Sequence, residues 1–336
     1  MNRLRLLFDN FTLILIAVVI AATLVPAHGR GAVIFDWATT LAIGLLFFLH
    51  GAKLSRDAVI AGATHWRLHL LVFGCTFVMF PLIGWGLKPV LEPLLGEPLY
   101  IGLFYLCVLP GTVQSAIAFT AIARGNVPAA VCSASASSLI GIGLTPLLLK
   151  VFLDADAGAS TASTMDAVTH ISVQLLLPFL TGHFLRPWIG GWVDRNRAWL
   201  VNVDQSSILL VVYTAFSASV IGGLWQTVPV NALLVLTIIC CVLLALVLYA
   251  TTWLARRFGF NKEDEITIVF CGSKKSMATG VPMAQVLFSS SAIGPALLPL
   301  IIFHQIQLMV CAVLAQHYFR RGQNLGTHTA TSGKMG

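Results

Sequence analysis

The sequence predicts an all-α integral membrane protein of ten transmembrane helices, built as two inverted five-helix repeats, and three observations predict it. Hydrophobic residues make up 57% of the 336 and charged residues only 10%, with a mean hydropathy of +0.88; no soluble domain has that composition. Ten apolar stretches follow one another along the chain, each near the ~20 residues that cross a ~30 Å hydrocarbon core. Lysine and arginine alternate between connections: with ten spans and both termini in the cytoplasm, one side holds 15 of the 20 and the other only Arg30, Lys88 and Lys150. That is the bias that sets membrane topology, and a missed or extra helix would scramble it. The net charge of +7 is then a cytoplasmic-face excess and no sign of a nucleic-acid partner; lipid is the surrounding this composition requires.

Span one, 11–27, follows Met1-Asn2-Arg3-Leu4-Arg5 and resembles a signal peptide, but nine more apolar segments follow, so it reads as a spanning helix. Span two, 33–52, has Asp36 near its start, and span three covers 66–87. Span four, 100–123, is interrupted by Pro110-Gly111-Thr112-Val113-Gln114-Ser115. Span five, 127–153, interleaves Ser133, Ser135, Ser137 and Ser138 with alanines ahead of Gly141 and Gly143, a small-residue surface for close helix packing. Spans six, seven and eight cover 167–187, 201–223 and 229–255, with Asp204 and Gln205 opening the seventh. Span nine, 265–289, starts from the cluster Glu263-Asp264-Glu265, read as its cap, and breaks at Gly272-Ser273-Lys274-Lys275-Ser276. Span ten, 292–317, carries His304, Gln305 and Gln307, and the polar stretch 321–336 reads as a disordered cytoplasmic tail behind a 1–320 membrane domain.

The two breaks, near Gly111 and Ser273, lie about 162 residues apart, and that offset carries span one onto span six. Five is odd, so the second half (about 165–317) enters the membrane from the side opposite to the first (about 8–153). Proline removes a backbone donor and glycine relaxes the helix, so Pro110, Gly111 and Gly272 mark unwound backbone. Such backbone is tolerated at membrane depth only where it is buried in protein or lines a cavity, and matched breaks in inverted repeats point to a midplane binding site.

Lys274 and Lys275 sit inside the ninth span, Lys274 roughly 13 Å from Glu265 at 1.5 Å per helical residue. That is too deep for the side chain to reach water easily, and charge at such depth is costly and by default functional. Three roles stay open: attracting an anionic group together with the positive N-terminal ends of the half-helices, releasing and taking up a proton, or satisfying carbonyls freed by the breaks. Thr112, Gln114, Ser115, Ser273 and Ser276 flank the breaks as candidate substrate or ion contacts, while Ser and Thr also cap restarting helices. Asp36, Asp204, His304 and Gln307 read first as helix-dipole partners or interhelical hydrogen bonds. No nucleophile-and-base set or His-Glu-x-x-His motif supports an enzyme, and the seven cysteines show no metal-binding spacing. An intramembrane enzyme or pigment protein using a lysine is the remote rival reading, and no cofactor is expected.

The stretch from Pro110 to Ser115, continuing to Ala123-Arg124-Gly125-Asn126-Val127, is similar to the fourth-helix signature of the bile acid:sodium symporter family, and Gly272-Ser273-Lys274-Lys275-Ser276 resembles the ninth-helix signature of its SBF-like branch. The resemblance covers residues 8–320. It implies a panel of helices one, two, six and seven, a core of the other six, broken helices four and nine crossing at the centre, and alternating access around a cleft that binds an organic anion. It also implies a multi-pass protein of the plasma (inner) membrane, no metal apart from sodium, and an oligomeric state left open.

Four departures from that pattern bear on coupling. The family's acidic position falls at Phe270 and its Gln-Asn pair at Lys274-Lys275; its third-helix glutamine falls at Thr76 and its fifth-helix hydroxyls at Ala130 and Ala134. Sodium needs oxygen ligands and an ammonium offers only donors. The expectation is that the lysines replace the bound sodium electrostatically, leaving coupling proton-linked or sodium-independent; a classical sodium symporter is the alternative.

Overall fold

The protein, in a computed structural model, is described over residues 10–53, 65–153, 161–289 and 292–332. Among the described residues every regular element is a helix. They are α1 (Asn10–Leu24), α2 (Arg30–Lys53), α3 (Trp66–Gly86), α4 (Lys88–Leu95), α5 (Glu97–Val108), α6 (Gln114–Ile122), α7 (Val127–Leu153), α8 (Thr161–Arg195), α9 (Arg197–Ile221), a single turn at Leu224–Thr227, α10 (Val230–Arg257), α11 (Lys262–Gly272), α12 (Met277–Leu287) and α13 (Ile293–Ser332). Six of them, α2, α3, α7, α9, α10 and α13, are long and apolar enough to cross a membrane. α1 is shorter, and the fourth and ninth stretches are each divided into two short helices, so a length criterion passes over them. The stretch expected as a tail lies partly outside the described residues, and helix covers it as far as Ser332.

Where the helices start follows local chemistry. α11 is capped by Asn261, whose Oδ1 accepts from the Asp264 amide at 2.8 Å. The acidic cluster does something else: Asp264 accepts from Asn126 Nδ2 at 2.9 Å, and Glu265 takes Lys262 at 2.6 Å and Arg256 at 3.2 Å. These bonds tie the Arg124-Gly125-Asn126 turn to the start of α11 while keeping negative charge at a helix N-terminus. α3 contains one wide turn at Cys75–Met79, where the Phe80 amide reaches the Cys75 carbonyl and passes over that of Thr76.

α2 lies along α8, and both α1 and α2 pack on α9; α5 lies on α13, and α10 on α11 and α13. The α2–α8 contact depends on two glycines. A Cβ at Gly51 would lie 1.9 Å from the Phe179 carbonyl oxygen, and one at Gly182 would lie 1.9 Å from that of Phe48. Backbone meets backbone there, the close approach that small residues permit between membrane helices. Gly51→Ala is therefore expected to force the pair apart and cost about 3 kcal/mol or more, measured as a lowered unfolding midpoint or loss of monodisperse protein in detergent. The large exposed side chains, Trp37, Leu41, Trp188 and Tyr249 among them, form the outer apolar surface. Cys241 is on that surface, whereas the other six cysteines are buried.

Candidate functional site

α5 stops at Val108 because Leu109 turns extended and Pro110 has no amide hydrogen to continue the ladder. Helix resumes at Gln114. On the other broken helix, α11 ends at Gly272 and α12 begins after Ser276, whose Oγ accepts from the Thr279 amide at 3.2 Å. The two unwound segments meet: the Ser276 amide donates to the Pro110 carbonyl at 2.9 Å. α7 supports the crossing from behind. Ser137 Oγ accepts from the Gly111 amide at 3.0 Å and Thr145 Oγ1 donates to the Val108 carbonyl at 2.8 Å. Gly141 leaves room for the Pro110 ring, which would come within 2.6 Å of a Cβ there. Several of the polar groups released by the breaks are thus paired inside the protein.

Lys274 and Lys275 are both fully buried at this crossing, 0% exposed, and among the described residues no salt bridge reaches either. Their surroundings differ. The Lys275 ammonium donates to three main-chain carbonyls, Thr76 at 2.9 Å, Cys107 at 2.7 Å and Leu109 at 2.7 Å, and lies 4.1 Å from the centre of the Phe80 ring. Each of those carbonyls is spare for a structural reason: the wide turn of α3 frees Thr76, and the end of α5 frees Cys107 and Leu109. All three ammonium hydrogens are used. Bonds to a charged group contribute about 1.5–3 kcal/mol each, against a desolvation cost of several kcal/mol for the ion; the two nearly offset, so stability alone does not explain a lysine here.

Lys274 is much less satisfied. Its ammonium has one hydrogen bond, to Ser115 Oγ at 3.3 Å, and otherwise sits 4.0 Å from the Phe119 ring centre and 5.7 Å from that of Phe270. A cation over aromatic faces is held by about 0.5–2 kcal/mol per ring. Ser115 in turn donates to Thr112 Oγ1 at 2.9 Å, and both line a cavity of about 200 Å³.

That cavity lies between the breaks and α1, α2 and α9; Thr112, Val113, Gln114, Ser115, Ser276 and His304 form one wall, and His50, Asp204 and Gln205 the other. The starts of α6 and α12 both border it. Gln307 joins it to Lys275: its Oε1 accepts from the Lys275 amide at 2.9 Å, and its Nε2 donates to the Lys275 carbonyl and to His304 Nδ1, both at 2.9 Å. Gln307→Leu breaks all three bonds. The expected outcome is a loss of about 2–4 kcal/mol of stability together with a transport defect, checked by thermal unfolding beside uptake.

Of the residues the sequence singles out, Thr112, Gln114, Ser115 and Ser276 line the cavity, Pro110, Gly111 and Gly272 flank the unwound segments, and Lys274 lies directly behind Ser115. Ser273 points elsewhere, its Oγ donating to the Val269 carbonyl at 2.6 Å. Sequence reasoning gave Gln307, His304 and Asp204 structural roles first, whereas Asp204 and His304 line the cavity and Gln307 contacts His304. Asp204 is 5% exposed and takes the Lys53 ammonium on Oδ2. The signal for Gln307 and His304 was a run of polar residues inside an apolar span; for Asp204 it was a carboxylate one turn beyond where a dipole partner belongs.

A family model described as the SBF-like CPA transporter family matches residues 9–320. An uncharacterized protein of Pseudomonas aeruginosa is 67% identical over 321 residues, 96% of each chain. A protein of Escherichia coli named putative symporter YfeH is 55% identical over 331 residues, 97% of each chain. The sodium/bile acid cotransporter 7-B of Xenopus laevis is 28% identical over 316 residues, covering 92% of this chain and 91% of its own. The family and the named relatives are transporters and symporters, not enzymes.

Proposed function

The chain belongs to the SBF-like CPA transporter family, a branch of the bile acid:sodium symporters, and we propose that it is a secondary active transporter of a small organic anion in the plasma membrane, with the Lys274 and Lys275 ammoniums in place of bound sodium. The supporting observation is the shell around Lys275. Three carbonyl oxygens at 2.7–2.9 Å are the kind of ligand set a hard cation takes, and a covalently attached cation already occupies it. Sodium then has neither the place nor the charge balance to bind there, so uptake proceeds without sodium or is linked to protons. The positive ends of α6 and α12, with Lys274 behind them, favour an anion in the cavity.

Alternating access has its own support. In a ten-helix inverted repeat the helices pair as one with six, two with seven and so on, and the packing of α2 on α8 has α9 on α1 as its counterpart. α10 on α13 corresponds in the same way to α3 on α7. One relation is unequal: α9 packs on α12, whereas its counterpart pair, α2 and α6, borders the two cavities, the second lined by His50, Lys53, Gln114 and Ser135. Closure at one end and opening at the other is what one state of a rocking carrier looks like, and the lysine and arginine bias makes the open end cytoplasmic.

Purified protein in proteoliposomes tests this reading with radiolabelled organic anions. Saturable uptake that concentrates an anion against its gradient, driven by a proton gradient or by counterflow without sodium, is the expected result. Uptake that never exceeds equilibration marks a channel, and uptake that requires sodium marks a classical symporter.

A further inference from the structure

The two walls of the cavity differ in hydrogen-bonding character. On α2, His50 Nδ1 lies 2.7 Å from the Leu46 carbonyl oxygen. A carbonyl only accepts, so Nδ1 carries the hydrogen and the neutral ring presents a bare Nε2 on the edge away from its own helix. Asp204, on α9, is the one carboxylate lining the cavity. Its Oδ2 holds Lys53, while Oδ1 is buried with no hydrogen-bond partner among the described residues; a buried carboxylate oxygen left open is uncommon. This wall accepts.

The opposite wall donates. The Lys275 amide can only donate, so the end of Gln307 that meets it is the oxygen and the other end is the NH2 group. That NH2 lies 2.9 Å from His304 Nδ1, and the His304 ring also meets the Lys275 carbonyl. Beside it are the first amides of α6 and α12, which have no partner within their own helices, and Ser115 in front of Lys274.

We propose that the cavity binds a carboxylate that also carries an amino or hydroxyl group, its carboxylate against Ser115 and the half-helix starts, its amino or hydroxyl donor against Asp204 and His50. The proposal rests on the anion-transport reading and narrows it to a pattern of polarity.

Thermal unfolding of the purified protein, titrated with propionate, 3-hydroxypropionate and 3-aminopropionate, tests it, because a ligand that binds the folded state raises the midpoint by mass action. In the wild type the hydroxy or amino acid is expected to bind at least about fivefold more tightly than propionate, the worth of one added hydrogen bond to a charged acceptor. Asp204→Asn is expected to remove most of that difference, with propionate itself bound no less tightly because a negative charge has left the cavity, and Lys274→Met to weaken all three. If Asp204→Asn does not fold, His50→Phe, which removes the other acceptor, takes its place with the same expectation. Equal binding of the three acids by the wild type, or an advantage that survives loss of both acceptors, overturns the proposal and leaves anion transport standing. No stabilisation by any anion overturns the anion reading as well.

Discussion

Lys275→Met is expected to abolish uptake, by about a hundredfold or more, and to lower the unfolding midpoint. Methionine keeps much of the side-chain volume but gives nothing to the carbonyls of Thr76, Cys107 and Leu109, which lose the ammonium that joins them. Each orphaned carbonyl costs about 1–3 kcal/mol, and sparing the desolvation of an ammonium returns several kcal/mol. The net loss is about 3 kcal/mol, a shift of roughly 5–10 °C for a protein of this size. Lys275→Arg is expected to fail as well, because a planar fork does not match three converging oxygens. Transport suffers more than stability, since the charge at the crossing is removed outright. Uptake in proteoliposomes and unfolding in detergent, run on the same preparation, check both halves.

Lys274→Met should separate the two effects. Lys274 has one hydrogen bond, at 3.3 Å, and two aromatic neighbours, so a flexible apolar replacement packs among Phe119 and Phe270 with a midpoint change of about 2 °C or less. What it loses is a positive charge behind Ser115, beside the cavity. The expected outcome is a rise of about tenfold or more in the KM for the transported anion, with smaller change in maximal rate, because attraction of substrate is what weakens. A Lys274 variant that unfolds while the Lys275 variant remains stable would reverse the roles assigned to the two residues.

The helical class and the positions of the breaks were legible because each has a local cause: apolar composition over spanning lengths, Pro110-Gly111, and Gly272 followed by polar residues. The burial of Lys274 and Lys275 was legible for the same reason, since hydropathy places them at depth. What surrounds Lys275 was not. Cys75-Thr76-Phe77-Val78-Met79 reads as ordinary apolar helix, and nothing in those side chains announces a wide turn that frees the Thr76 carbonyl. Gln307 looked like an isolated interhelical hydrogen bond because its partner is the backbone of a residue 32 positions away. Asp204 and His50 acquire meaning only from helices packed against each other, and main-chain ligands leave no signature in residue identity. The ammonium-for-sodium idea came from a change in residue type, whereas the carbonyl shell that gives it a physical basis came from the geometry.

The most direct test of that idea is a sodium titration of the unfolding midpoint, at constant ionic strength with choline as the replacement cation, for the wild type and Lys275→Ala. The alanine variant leaves the three carbonyls around a vacated space. The account predicts that the wild type is indifferent to sodium and that the variant is stabilised by it saturably, the ion taking the place of the lost ammonium. Saturable stabilisation of the wild type by sodium would contradict it, since a cation site would then exist beside an occupied Lys275.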